Sequence, residues 1–502
     1  MPSLFKMKLM LKTYIIAVLL GLLFSLGFAP NDLWFISIFS ITCLHYLIQE
    51  ANKKELFWIG YSFGLGLWSI GISWLYVSIY FYGNVGFIIS IILTAIFIGI
   101  LSIYSGVTLL LYSYLRFNSK ISILFSLPIA WIVIEFLRSI LFTGFPWLIS
   151  GTMLADTLID GWTPIIGAQG NTFFLLLLSS FIFLFIKELK QFKTALLPGI
   201  FIFILLVSSF SLKKIGWTEF DGSLKASIIQ TNLELKEKWS SLGVVKTKSM
   251  MERAINNGEE GEIIVFPETA LIFSQNEIKD WLAYIDHKAE QKNITLITGI
   301  IEREGKLKVR NRILGLGLAN TYYDKVKLVP FGEFIPFEGI TGNLFDILGL
   351  QLTNTLPGEH TKPINAGNIK ISASICYEIA FPELIRKTAS ESNLIVTISN
   401  DTWFGSSYGP IQHLEIAQNR ALEHKKTLLR STNSGISAFI SKNGEIIENQ
   451  GYFEEKLLKK EINLYKGKTF YAKYGNLPLF IIISVIFLYI VIKKRKLDNL
   501  GR

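Results

Sequence analysis

Apolar runs long enough to cross about 30 Å of hydrocarbon recur before residue 213, and they constrain this chain more than any other feature. They lie near 12–29, 32–49, 57–80, 85–115, 121–141, 171–186 and 194–212, with one more near 475–492 (LPLFIIISVIFLYIVI and flanks). Core helices of a large soluble protein would carry a polar stripe, which these lack. A basic stretch precedes the first run, but the run is longer than a signal-peptide core and more runs follow. It therefore reads as an uncleaved helix. The expected architecture is a helical membrane bundle of about eight spans.

Charge gives the orientation. Short loops rich in Lys and Arg stay on the cytoplasmic side. Such loops hold Lys6, Lys8 and Lys12; Lys53 and Lys54; Arg116 and Lys120; Lys187, Lys190 and Lys193; and a tail with Lys493, Lys494, Arg495, Lys496 and Arg502. The alternate loops, 30–31, 81–84 and 142–170, contain neither residue. Both termini are then cytoplasmic and 214–474 lies outside. The net charge of +10 has the same origin. Residues 213–474 hold 33 Lys+Arg against 31 Asp+Glu, and the remainder holds 16 against 8. The excess is a topology signal that says nothing about nucleic acid, and no nucleic-acid partner is expected.

The chain thus reads as a bundle over 1–213, an extracytoplasmic domain over 214–474, and a final helix with a basic tail over 475–502. Segment 142–170 (FTGFPWLISGTMLADTLIDGWTPIIGAQG) is apolar but broken by Gly and Pro. It is expected at the outer interface, with Trp147 and Trp162 at headgroup level. Glu135 and Arg138, three residues apart on one helix, are expected to pair.

In the outer domain, β-branched runs at 225–230, 262–266, 294–300, 325–329, 369–375, 393–399 and 435–441 alternate with helix-like stretches at 243–257, 276–292, 382–391 and 411–425. That alternation indicates an α/β domain with buried sheets. Three runs border reactive residues: EIIVF leads into Glu268, KVKLV joins Lys325 to Glu333, and IKISASI leads into Cys376. Sites in α/β domains form at strand ends. A thiol attacks an acyl carbon only as thiolate and needs a base, a role that suits Glu268. Lys325, with a backbone N–H beside Cys376, would stabilise the oxyanion, and Glu333 would orient the Lys325 amine or handle a second proton. Cys43 lies in an apolar run, so Cys376 is the sole outer-domain cysteine, and a disulfide scaffold is excluded. No spacing among the five histidines suggests a metal site, and no phosphate-binding loop or other cofactor motif is present. His413 reads as structural, and His360 as part of a turn. Trp403, Phe404 and Gly405 read either as a lip that admits lipid or as an interior aromatic pair beside a turn.

The motifs FPETA (266–270), YDKVKLVPFGEFIP (323–336), ICYEIAFPE (375–383) and SNDTWFG (399–405) resemble the nitrilase (carbon–nitrogen hydrolase) superfamily. With the apolar spans, they resemble its membrane-embedded branch, the apolipoprotein N-acyltransferases. The resemblance extends over nearly the whole chain, including EFLRSILFTGFPWL at 135–148, Gln230 to Trp239, and 418–435. It implies an αββα sandwich on an eight-helix bundle and a Glu268–Lys325–Cys376 triad supported by Glu333. It places Tyr377 and Glu378 after the nucleophile, Trp239 near the site, and Phe145 and Trp147 in a membrane-side motif. The implied substrates are a phospholipid acyl donor and a diacylglyceryl-apolipoprotein acceptor. The competing expectation is a membrane-tethered amidase, in which water takes the second step.

Overall fold

The computed structural model describes residues 4–83, 85–305, 308–336 and 354–499. The chain divides into two compact units, Met1–Ile215 with Tyr474–Arg502, and Gly216–Lys473.

The first unit is helical. In a lipid-solvated segment every backbone polar group must be satisfied internally, and the α-helix does this within one run. Among the described residues, five helices are long and apolar enough to cross a membrane: Phe87–Leu115, Lys120–Thr143, Asp160–Glu188, Lys193–Leu212 and Leu477–Leu497. The run expected at 57–80 is broken instead. Lys53–Gly71 and Trp74–Tyr82 meet at 53° and make a sixth span if counted as one. Leu9–Ser25 and Trp34–Ile48 are shorter apolar helices. By length and composition the described residues thus show five spans, or six with the bent pair, and the two shorter apolar helices fall below that measure.

Close packing explains part of the composition. A Cβ on Gly21 would lie 2.0 Å from the Phe63 carbonyl oxygen, and one on Gly66 would lie 2.0 Å from that of Val18. The helices Leu4–Ser25 and Lys53–Gly71 thus approach through reciprocal glycines, the small-residue contact favoured where lipid offers no hydrophobic drive. Ser37 and Ser40 donate across a helix interface to the Phe24 and Leu20 carbonyls at 2.7 and 2.6 Å.

Segment 142–170 differs from its expectation. It forms short 3-10 turns at Leu141–Thr143, Ser150–Leu154 and Asp160–Trp162, and its helix begins at Thr163. Trp147 is 1% exposed, so it is an interior side chain. Glu135 and Arg138 stand 4.0 Å apart, but their main partners are elsewhere. Arg138 donates to the carbonyls of Phe145 and Trp147, each at 2.6 Å, and of Leu148 at 3.2 Å. Glu135 accepts from the Ser150 N–H and hydroxyl at 2.9 and 2.8 Å and from Thr172 at 2.6 Å. The two charges clip an irregular backbone into the bundle and satisfy groups that would otherwise be orphaned.

The second unit is a sandwich of two sheets. One runs Lys456–Lys466, Glu219–Gln230, Ile263–Val265, Thr295–Glu304, Lys308–Gly317, Thr321–Asp324, with Asn354–Thr355 beside Lys308–Gly317. The other runs Ile446–Gln450, Ser437–Ile440, Leu428–Thr432, Leu394–Ser399, Ile369–Ile375, Ile364–Ala366. Their inner faces share one core, with Ile263, Val265, Ile297 and Ile313 meeting Ile371, Ile375, Val396 and Phe439. The helices Ser241–Asn257 and Lys279–Gln291 pack on the outer face of the first sheet through Met251, Ile255 and Ile285. The helices Pro382–Ala389 and Gly409–His424 belong to the second sheet's side, completing the αββα order. The run 325–329, expected as a strand, is not one: the strand ends at Asp324. Its backbone hydrogen bonds go elsewhere, as the site makes plain.

Candidate active site

Glu268 follows the central parallel strand Ile263–Val265, which leaves the sheet with Phe266 N donating to the Ile297 carbonyl at 2.8 Å. The chain then turns through Thr269 at φ +47°. Gly299 on the next strand makes room for this turn, since a Cβ there would lie 2.4 Å from Thr269 N and 2.6 Å from the Pro267 oxygen. The buried Glu268 carboxylate is held from three sides. Its Oε1 accepts from Asn311 Nδ2 at 2.5 Å and Lys325 Nζ at 3.4 Å, and its Oε2 accepts from Asn400 N at 2.8 Å.

Lys325 sits just past the strand Thr321–Asp324 and is 1% exposed. Its backbone is pinned on both sides, N–H to the Asn311 carbonyl at 2.8 Å and carbonyl to Gly358 N–H at 2.7 Å. Its Nζ donates to Glu333 Oε1 at 2.9 Å. Glu333 is set by its own turn, with Oε2 accepting from Val329 N at 2.7 Å. Burial acts against the Lys325 ammonium, but the carboxylates of Glu333 and Glu268 and the nearby Cys376 outweigh it and hold the amine above the ordinary lysine range.

Cys376 ends the strand Ile369–Ile375 and starts the 3-10 turn Cys376–Ala380. Its φ of +53° is the left-handed conformation, which costs a residue other than glycine about 1–2 kcal/mol. Desolvation by its surroundings pushes the thiol up to about 12; the charges of Glu268 and Asp401 add to this, and Lys325 and a hydrogen bond from Ser399 oppose it. At neutral pH the group rests as a thiol and needs a base to react.

Glu378 explains the missing strand. It is fully buried, and its Oε1 accepts from the Tyr323 hydroxyl at 2.9 Å and from Val326 N and Lys327 N at 2.6 and 3.0 Å. Its Oε2 accepts from Ile375 N at 2.8 Å. The backbone donors after Lys325 are spent on this carboxylate, which ties the lysine segment to the residue before Cys376. Burial pushes the Glu378 carboxyl up to about 7, opposed by those backbone hydrogen bonds and Lys325.

Two family models match this chain: an apolipoprotein N-acyltransferase N-terminal domain over residues 20–181, and a carbon-nitrogen hydrolase over 225–469. An apolipoprotein N-acyltransferase of Vibrio parahaemolyticus serotype O3:K6 is 34% identical over 497 residues, 95% of this chain and 96% of that one. The chain belongs to the apolipoprotein N-acyltransferase family. A relative of that name from Pasteurella multocida is 32% identical over 95% of this chain and 94% of its own. Among solved structures, Nit3 of Saccharomyces cerevisiae, from the nitrilase superfamily, aligns at 18% identity and a TM-score of 0.37, covering 52% of this chain and 96% of that one.

Of the residues singled out in the sequence, Glu268, Lys325 and Glu333 share hydrogen bonds, and Cys376 lies within the field of the first two. Tyr377 is buried with its ring edge-on to Phe381 at 5.0 Å. Trp239 and Trp403 are 53% and 43% exposed, so Trp403 is a surface aromatic rather than an interior one. Phe145 and Trp147 belong to the helical unit, where Phe145 meets Phe97 at 5.4 Å and Trp147 meets Trp74 at 5.2 Å. Sequence reading missed Asn311, which has no local signal because it reaches Glu268 across the sheet. It also missed Asn400, although that residue stands inside a quoted motif. Lys238, next to Trp239, was passed over too. It is buried, donates to the Glu268 carbonyl at 2.9 Å and the Thr269 hydroxyl at 3.0 Å, and burial lowers it to about 8 against the attraction of Glu268.

Proposed function

We propose that this protein transfers an acyl chain from a membrane phospholipid, through a thioester on Cys376, to the N-terminal amine of a diacylglyceryl-cysteine apolipoprotein. The observation that carries the reading is the buried Lys325 ammonium. Glu333 and Glu268 hold it beside a thiol that is protonated at rest. In the first half-reaction Glu268 takes the Cys376 proton as sulfur attacks the ester carbonyl carbon, and Lys325 stabilises the tetrahedral oxyanion. The carbon–oxygen bond to glycerol breaks, and Glu268 returns the proton to the departing lysophospholipid alkoxide. In the second, the acceptor amine attacks the thioester, giving up its proton to Glu268. The carbon–sulfur bond breaks, the amide forms, and the proton returns to sulfur. Glu333 orients the lysine, Glu378 sets the spacing between lysine and nucleophile segments, and no cofactor takes part. The exposed Trp239 and Trp403 bind lipid, and Tyr377, Phe145 and Trp147 act as supports.

The proposed setting is a bacterial inner membrane with eight spans, both termini cytoplasmic and the catalytic domain extracytoplasmic. The strict alternation of basic loops with loops that lack Lys and Arg supports this. An amidase would need only one tether, and the match of residues 20–181 to the acyltransferase bundle goes against it. Incubation of purified protein with labelled phospholipid is expected to give a hydroxylamine-sensitive acyl adduct on Cys376. Adduct formation by Cys376→Ala, or full lipoprotein acylation by Glu268→Gln, would overturn the assignments.

A further inference from the structure

Behind the nucleophile lies a fully buried trio outside the proposed triad: Asp401, His413 and Arg430. Arg430 Nη2 donates to Asp401 Oδ2 at 2.5 Å and to His413 Nδ1 at 3.0 Å. A guanidinium can only donate, so His413 Nδ1 accepts and the ring proton sits on Nε2. That nitrogen is 3.1 Å from the Cys376 carbonyl oxygen, and it donates there. Burial and the Arg430 charge lower the His413 pKa against the pull of Asp401, which favours a neutral ring; the Arg430 donor sets its tautomer.

The other side of the trio faces the base. Asp401 Oδ1 lies 3.1 Å from His413 Nδ1 and accepts from Ser399 Oγ at 2.5 Å. Gly435 closes the seat, where a Cβ would lie 2.6 Å from Asp401 Cβ. Directly before Asp401, the Asn400 N–H donates to Glu268 Oε2 at 2.8 Å. One continuous path therefore runs from the Cys376 carbonyl through His413, the Arg430 guanidinium, Asp401 and the Asn400 amide to the Glu268 carboxylate. It joins the left-handed nucleophile, whose conformation its surroundings must hold, to the group that takes its proton.

We infer that His413 is a positioning residue: by donating Nε2–H to the Cys376 carbonyl it fixes the nucleophile relative to Glu268, with Arg430, itself anchored on Asp401, holding the imidazole. The role rests on the acyl-transfer reading above. It predicts a rate effect, because a misplacement of about 1 Å at a reacting centre can cost about 100-fold.

The test follows formation of acyl thioester in the full-length protein, mixed rapidly with a fluorescent phospholipid in detergent micelles. It compares the parent with His413→Leu, His413→Gln and His413→Asn. A Gln amide nitrogen reaches the place of Nε2, whereas an Asn amide reaches only that of Nδ1. Burst rates of the Leu and Asn variants are expected to fall about 10- to 100-fold with burst amplitude per folded molecule retained, and Gln to recover most of the rate. A purely structural histidine would lower amplitude and leave rate unchanged, which would overturn the inference. Should His413→Leu fail to fold, equal rates for the Gln and Asn variants would overturn it as well. Absence of any acyl-enzyme in the parent would instead sink the acyl-transfer reading, so the two failures are distinguishable.

Discussion

Replacing Lys325 by Met keeps the length and apolar stem of the side chain and removes its charge. The ammonium stands 2.9 Å from Glu333 and 3.4 Å from Glu268. At an effective dielectric of about 20 each contact carries about 5–6 kcal/mol of direct attraction, much of it offset by desolvation. Removing one partner from a buried ionic cluster costs about 3–5 kcal/mol, so the melting temperature should fall clearly. The chemical step loses a fixed donor at the oxyanion, which is worth about 3–4 kcal/mol, or roughly 100- to 1,000-fold in rate. Rapid-quench measurement of the Cys376 thioester at saturating phospholipid separates the two effects. The folded fraction sets the amplitude, and Lys325 sets the rate. A burst rate within tenfold of the parent in well-folded Lys325→Met would refute the oxyanion assignment.

Three further outcomes follow from the geometry. Gly299→Ala presses a methyl group on the backbone of Pro267–Thr269; it should cost about 1–3 kcal/mol of stability and slow the burst at least tenfold, and a parent-like melting curve and rate would show that the turn can yield. With its pKa pushed up to about 12, Cys376 is protonated across the neutral range, so its alkylation by iodoacetamide should climb about tenfold per pH unit from pH 7 to 10. A plateau beginning below pH 8, read by peptide mass spectrometry at residue 376, would contradict a resting thiol. Glu135→Gln leaves one acceptor fewer for Ser150 and Thr172 and removes the carboxylate charge beside Arg138; thermal unfolding in detergent should register a loss of about 1.5–3 kcal/mol, and an unchanged midpoint would show that the clip contributes nothing.

The sequence makes some of this architecture legible and hides the rest for identifiable reasons. Residues 369–375 form the expected strand to the residue, because alternate positions Ile369, Ile371, Ala373 and Ile375 face the core between the sheets while Lys370, Ser372 and Ser374 take the other face. The same logic fails at 325–329. The apolar alternation there is real, but Val326 and Lys327 give their N–H groups to the Glu378 side chain, a partner 52 and 51 positions away that no local pattern records. Trp147 was expected at the headgroup layer because its neighbours break helical geometry. Arg138 takes the carbonyls that such a backbone exposes, and so an irregular segment can be buried. Glu268, Lys325, Glu333 and Cys376 stood out because they border apolar runs. Asn311, Lys238 and His413 act from positions whose ordinary reading is structural.

The pairing of the two-sheet unit's first and last strands bears on how the protein is made. Glu219 lies opposite Lys466 and Phe220 opposite Tyr465, so the unit leaves and rejoins the helical chain at adjacent points on one sheet. The ribosome delivers the Glu219–Gln230 strand more than two hundred residues before its edge partner Lys456–Lys466. Until then it presents an open edge, a hazard for unwanted pairing. The sheet is complete only when residue 466 has emerged, just ahead of the closing helix Leu477–Asn499. Truncation anywhere inside the closing strand therefore leaves every proposed catalytic side chain in place in the sequence and an unsealed sheet in the product.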